Sequence, residues 1–306
     1  MNLNKVIILG LKNSNHTHMY IHQAFYKAFK YLNYVTYWIN DIKEYNGDIN
    51  NSLIIFSGSW NGSSPPPIID NCFYLLHNTT LNTKNKLSFQ VYTTDCIDRD
   101  TPTSLKYHYY NKDLKTIYFP WATNILPHEI DKNIEQINTI NTNNIDACYH
   151  NGTITGDWSV PWVNFANSLK KYNIPFRHYQ PGSLTDEQNE ELVKKNLICP
   201  ALVTKWQVDK EYIPCRIFKN ISYGKMGITN SYAVNNLFNN KLLYDNDMNN
   251  LVDKLIDFNK QSFDIKNDKI VELMYIVRDN HTYISRINYI LKYLKDWYNI
   301  DLNINN

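Results

Sequence analysis

The sequence predicts an α/β protein built on parallel sheets of the doubly wound type. Short runs of consecutive apolar residues recur along the chain at strand length, as expected of strands covered on both faces. These runs pass into polar or glycine-bearing loops, and several of the loops lead into segments of helical period. At 306 residues the chain is long for one core and comfortable for two domains, and a second strand–loop–helix series opens near its middle.

Residues 6–9 (Val-Ile-Ile-Leu) form the first apolar run, read as a buried strand. The polar loop Lys12-Asn-Ser-Asn-His-Thr-His18 follows, then a helical pattern over residues 19–32. Further strands are expected at 35–38, 53–56, 72–76, 87–92 and 116–119, with the polar stretch Ser57-Gly-Ser-Trp-Asn-Gly-Ser-Ser64 after the third. Residues 134–144, rich in Asn and Thr, mark the domain boundary, which gives domains of residues 1–140 and 141–280. The second series runs from a strand at 146–149 through the loop Asn151-Gly-Thr-Ile-Thr-Gly-Asp157 to a helix ending near Tyr172. A strand at 176–179, a helix at 186–195 capped by Thr185, a strand at 197–200 and a loop over 205–214 come next.

The most marked segment is residues 214–224. Pro214 suits the first helical position and Gly224 the left-handed residue past the end. Ile217, Phe218 and Ile221 share one face, leaving Arg216, Lys219 and Asn220 toward the other. The N-terminus of such a helix attracts phosphate, and Arg216 adds a charged fork suited to a diphosphate. A strand at 227–229 and a helix at 248–258 follow. Residues 281–306 begin with an amphipathic helix presenting Ile284, Ile287, Leu291 and Leu294.

Composition excludes several classes. A chain 43% hydrophobic and 20% charged is globular and not disordered. The net charge of +2, without a basic stripe, argues against a general nucleic-acid binder. Five scattered cysteines (Cys72, Cys96, Cys148, Cys199, Cys215) show neither zinc-ligand spacing nor a disulfide framework. With no signal-peptide pattern at the start and no apolar run of about 18 residues, a cytoplasmic location is expected. The sequons at Asn15, Asn61, Asn78, Asn151, Asn220 and Asn280 then reflect an Asn-rich sequence alone. The first strand leads into Gly10-Leu-Lys-Asn, which lacks the further glycines of a dinucleotide turn, so an NAD-dependent enzyme is a poor reading.

Pro214-Cys-Arg-Ile-Phe-Lys-Asn-Ile-Ser-Tyr-Gly224, with Val277-Arg-Asp-Asn-His-Thr-Tyr-Ile-Ser-Arg286 downstream, resembles the spore-maturation CgeB-like glycosyltransferases of the GT-B class. Those carry a Pro-Ser-Arg-Leu-Phe-Glu-x-x-x-x-Gly segment and a later His-Thr-Tyr-x-x-Arg segment. The likeness covers roughly residues 201 to 291, and Phe119-Pro-Trp-Ala-Thr123 resembles the strand end that closes the first domain of that group. The resemblance implies two Rossmann-like domains facing across a cleft. The N-terminal domain would take the acceptor and the C-terminal one the nucleotide-sugar, with the final helix crossing back to the first. It implies transfer of a hexose or deoxyhexose to a hydroxyl of a glycan, lipid-linked saccharide or protein. No metal, no cofactor beyond the donor and no nucleic-acid partner would be needed. Many retaining members of the class carry two glutamates here with seven residues between them, the second holding the donor ribose; Glu211 stands at the first position and Lys219 at the second, so that ribose contact does not carry over from the resemblance. A non-catalytic GT-B-like nucleotide- or glycan-binding module is the alternative that Lys219 keeps open.

Sugar transfer needs stabilised leaving-group charge and an activated hydroxyl. For the first, the donor-side candidates are Arg216, Lys205 and Lys219 as cations, and Asn151-Gly152-Thr153 as a loop that lets backbone approach closely. Trp206 and Tyr212 offer rings for a base, while Glu211 and Asn220 offer hydrogen bonds. An ion pair of Arg216 with Glu211 or Asp209 is the competing structural role. For the base, His16 and His18 lie in the loop before the first helix and have an ordinary pKa suited to neutral pH. Asp95 is the carboxylate alternative, and His22, within the helix, is a weaker candidate. Asp98-Arg-Asp100 has the spacing of a metal-binding pair but reads as a solvated charged turn. His281 is expected to anchor the last helix.

Overall fold

The computed structural model describes residues 1–12, 17–58, 64–92, 109–111, 113–137, 147–154 and 156–304. The chain folds into two compact units. The first gathers the described residues up to Phe119 together with Tyr283–Asn306; the second is Pro120–Thr282. Residues 120–137, placed by the sequence reading before the boundary, therefore pack with the second unit.

In the first unit, β1 (Asn2–Leu3) precedes β2 (Lys5–Leu9), α1 (Thr17–Tyr31), β3 (Thr36–Ile39), β4 (Ser52–Ser57), β5 (Phe73–His77), β6 (Lys86–Gln90), β7 (Tyr109–Asn111) and β8 (Thr116–Tyr118). The sheet order is β3-β2-β4-β5-β6-β8-β7; the first six strands are parallel and β7 joins the edge antiparallel. Every residue of β4 is buried, which is why the central strands read as unbroken apolar runs. Register stacks Ile7 on Ile54 on Tyr74, and Leu9 on Phe56 on Leu76, into one core layer. α1 buries Ile21, Ala24, Phe25, Ala28 and Phe29 at helical spacing. It stops where Asn33 takes a left-handed φ of 61° and Tyr34 N–H bonds back to Phe29 O.

The second unit contains α2 (Pro127–Glu135), β9 (Cys148–Asn151), α3 (Val160–Lys170), β10 (Phe176–Tyr179), α4 (Asp186–Lys195), α5 (Lys205–Asp209) and α6 (Cys215–Ser222). It continues with β11 (Ile228–Thr229), α7 (Tyr232–Leu237), β12 (Leu243–Tyr244), α8 (Met248–Asn259) and α9 (Phe263–Asn280). Its strands are short and pair in parallel, β10 with β9 and β11 with β12. Residues 198–201 tie the pairs together: Ile198 bridges Cys148, and Ala201 N–H donates to Ile228 O at 2.9 Å. Segment 205–214, expected to be a loop, begins with a short helix. Thr204 and Gln207 cap it reciprocally, each side chain accepting the other's backbone N–H.

Past Thr282 the chain returns to the first unit as α10 (Tyr283–Tyr298) and β13 (Asp301–Leu302). Tyr283 packs edge-on against Phe25 at 4.9 Å, Tyr298 against Phe73 at 4.8 Å, and β13 pairs with β1.

Candidate functional site

The site grows from the carboxyl end of β9. Cys148 and Tyr149 are buried as a strand core should be, and His150 continues that burial at 1% exposure although it is polar. Gly152 then takes a φ of 156°, open only to a residue without a Cβ. A Cβ there would lie 3.0 Å from His150 Nε2 and would collide with the Arg216 guanidinium, so both side chains come onto the bare face of this glycine.

Arg216 arrives from the first turn of α6. That helix buries Ile217, Phe218 and Ile221, as their spacing predicts, and ends with Gly224 at a φ of 77°. Pro214 is the residue before the helix, one place earlier than expected. Arg216 donates to Asn151 O at 3.2 Å and lies over the Trp162 ring at 5.7 Å. Among the described residues no carboxylate pairs with it, so the competing role, an ion pair with Glu211 or Asp209, is not taken. Asp209 is taken by Lys205 at 2.9 Å.

His150 packs between rings, 3.6 Å from Trp162 and 5.6 Å from His178 by centroid. Neither of its ring nitrogens meets a hydrogen-bond partner among the described residues, nor does Asn151 Oδ1. Buried polar groups left this way cost about 1–3 kcal/mol each, so a native fold keeps few of them. Burial first, then the Arg216 charge and His178, hold the His150 imidazole far below the usual histidine range, and it is neutral. The shell around it is satisfied. His178 Nε2 bonds Gly152 O at 2.6 Å, and Asn189 Oδ1 accepts from Tyr149 Oη at 2.7 Å and Asn151 Nδ2 at 3.2 Å.

Of the sequence candidates, the structure thus brings together Asn151, Gly152 and Arg216. Thr153 is exposed in the same loop, and Lys219 lies part-buried one turn along α6. Lys205 and Trp206 are exposed on α5, while Glu211, at a φ of 52°, and Tyr212 form the turn that follows. Asn220 is withdrawn: it is 4% exposed and its amide donates to Cys199 O at 2.6 Å, as the interior face of α6 requires. His16 and Asp95 lie outside the described residues, as do Asp98 and Asp100; His18 falls in the first turn of α1, its side chain not described. His22 is buried with Nδ1 donating to Gly10 O at 3.0 Å. His281 is buried and stacks on Phe218 at 4.7 Å, a packing role. The buried residue beside these candidates that the sequence did not single out is His150. Its signal is a lone titratable residue closing an apolar strand directly before Asn-Gly.

Among the described residues, no cluster of three or more His, Cys, Asp or Glu is placed to hold a metal ion. No described helix is long and apolar enough to cross a membrane.

The architecture matches solved structures. An alpha-glucosyltransferase in complex with UDP and a 13-mer DNA containing a central A:G mismatch superposes with a TM-score of 0.58 at 10% identity, over 95% of this chain and 99% of that one. An alpha1,3-fucosyltransferase superposes with a TM-score of 0.50 at 10% identity, over 96% of this chain and 89% of that one. The fold is GT-B. No family model matches the chain and no curated protein matches it in sequence, so the likeness is one of fold and the CgeB-like group stands as a resemblance of motifs.

Proposed function

We propose that this GT-B chain is a glycosyltransferase that moves a sugar from a nucleotide-sugar to an acceptor hydroxyl. The observation that carries the reading is Arg216: a cation without a carboxylate partner among the described residues, at the start of α6, facing the glycine at the end of β9. Such a place suits a diphosphate leaving group, whose charge grows as the glycosidic bond breaks. Arg216 would hold that charge without a metal, and the Asn151–Gly152 backbone would let the phosphates approach closely. The acceptor hydroxyl, on a glycan, lipid-linked saccharide or protein, falls to the first unit, with His16, His18 or Asp95 as base candidates. The free thiols of Cys72, Cys148 and Cys199 suit a reducing, cytoplasmic setting.

Thermal-shift and calorimetric screens against UDP, GDP, dTDP, CMP and their sugars identify the donor. Duplex DNA is added to the acceptor panel because the glucosyltransferase of similar fold was solved with DNA. Ligand at a hundredfold above Kd stabilises by about 2.7 kcal/mol. A hit is expected, and Arg216→Ala is expected to weaken it at least tenfold. Undiminished binding and transfer by that variant would remove the assignment. Tight binding with no turnover over a full acceptor panel would leave a nucleotide-binding module, the role Lys219 in place of glutamate keeps open.

A further inference from the structure

The unsatisfied groups at the end of β9 say more about the ligand than Arg216 does alone. His150 is 1% exposed, yet both ring nitrogens lack a hydrogen-bond partner among the described residues. An apolar ring of the same shape would fill this place against Trp162 without leaving buried polar atoms unpaired. Among the described residues the imidazole is thus held at a cost, which a state that meets its nitrogens would offset. Nε2 and the Arg216 guanidinium both lie against the bare face of Gly152, where a Cβ would meet them. Three fixed groups line the rest: Trp162 from α3, His178 from β10, already bonded to Gly152 O, and Asn151 beside them on β9. Asn151 Oδ1 is a second unmatched acceptor.

We propose that His150 is a direct contact for the donor diphosphate, its imidazole N–H donating to a phosphate oxygen that Arg216 also holds. This rests on the reading of the site as a nucleotide-sugar site. It deepens that reading by adding a neutral, specificity-bearing contact to the charged one. A neutral imidazole also keeps one lone pair, and Asn151 Oδ1 another.

His150→Phe tests this, because phenylalanine keeps the ring against Trp162 and removes both nitrogens. Calorimetry at pH 7.5 would compare UDP, GDP, the matching nucleosides and inorganic pyrophosphate. The expected result is a roughly tenfold loss of nucleoside diphosphate affinity, unchanged nucleoside affinity, and a ligand-free Tm equal to or above that of the wild type. His150→Gln, which restores an N–H donor, is expected to recover part of the loss. Wild-type diphosphate affinity in folded His150→Phe overturns the proposal. Should that variant not fold, nitrogen-15 imidazole spectra of the wild-type protein decide: the His150 resonances shift on saturation with the nucleotide, and resonances that do not move overturn it. Loss of binding in Arg216→Ala with none in His150→Phe sinks this inference alone. A wild-type chain that binds no nucleoside diphosphate sinks the donor reading and this inference with it.

Discussion

His77 ends β5 and His150 lies next to the end of β9, so both are buried at the carboxyl end of a parallel strand, one in each unit. The first unit settles its histidine internally: His77 Nδ1 donates to Phe89 O at 3.0 Å and its ring stacks on Phe89 at 4.6 Å. His22 is treated the same way, against Gly10 O. The second unit gives His150 equally close ring neighbours and no polar partner among the described residues. The same residue type, similarly buried, is thus held by a backbone carbonyl in the first unit and, in the proposal above, left for an incoming ligand at the end of β9. A buried titratable group says little about function until its hydrogen bonds are counted.

The largest effect that tests this comparison is on pH. Burial pushes His22 and His77 down to about 4, and His150 lower still, from an ordinary value of about 6.5. Between those limits the unfolded chain binds more protons than the folded one. Stability from these imidazoles is therefore complete above pH 6.5 and is lost as pH falls, with a slope of up to about 1.4 kcal/mol per pH unit for each. Thermal unfolding from pH 7.5 to 5 is expected to show a steep fall in Tm. His77→Phe and His150→Phe should each flatten the fall by about one proton. A His150→Phe curve parallel to that of the wild type would mean that this imidazole is charged in the folded state, and the contrast between the two strand ends would collapse.

Gly152→Ala comes next in size. A φ of 156° is strained for any residue with a Cβ, at about 1–3 kcal/mol, and the added methyl would meet the His150 ring and the Arg216 guanidinium. Denaturant unfolding should register that loss, and nucleotide affinity should fall with it. Wild-type stability and affinity in this variant would show that the end of β9 is an ordinary turn.

The central strands of the first sheet were legible because they are buried on both faces and leave apolar runs: β4 and β5 needed no pattern beyond that. In the second unit, α6 was legible from its own punctuation, Pro214 before it and Gly224 after it. α5 was misread as loop although Thr204 and Gln207 mark its start, because five residues give periodicity no room to show. The site was half legible. Arg216 and Gly152 belong to signals that local sequence carries, a helix start and a glycine turn. Their meeting, 64 residues apart in the chain, depends on the parallel pairing that sets β9 beside residues 198–201. His150 was missed for the same reason: one polar residue at the end of an apolar run looks solvated until the packing of Trp162 and His178 over it is seen. Asn220 failed in the opposite direction, placed by spacing near the open side of α6 and drawn inward by the carbonyl of Cys199.

Lys205→Ala is the smallest effect and the sharpest check on ranking cations by whether they are paired. Its side chain is 88% exposed and its ammonium is held by Asp209, one turn along α5. An exposed pair at this spacing adds little to stability and is screened by salt, so Tm should not move measurably. Neutralised by its neighbour, Lys205 also presents little net charge to an anion, whereas Arg216 has no such neighbour among the described residues. Nucleoside diphosphate affinity of Lys205→Ala at physiological salt is therefore expected to fall by no more than about twofold, against a tenfold or greater fall in Arg216→Ala. A loss in Lys205→Ala as large as that in Arg216→Ala would show that the ligand breaks the Lys205–Asp209 pair and recruits the ammonium. In that case the open polar groups at the end of β9 would be only part of the anion site, and α5 would have to change its pairing when the ligand binds.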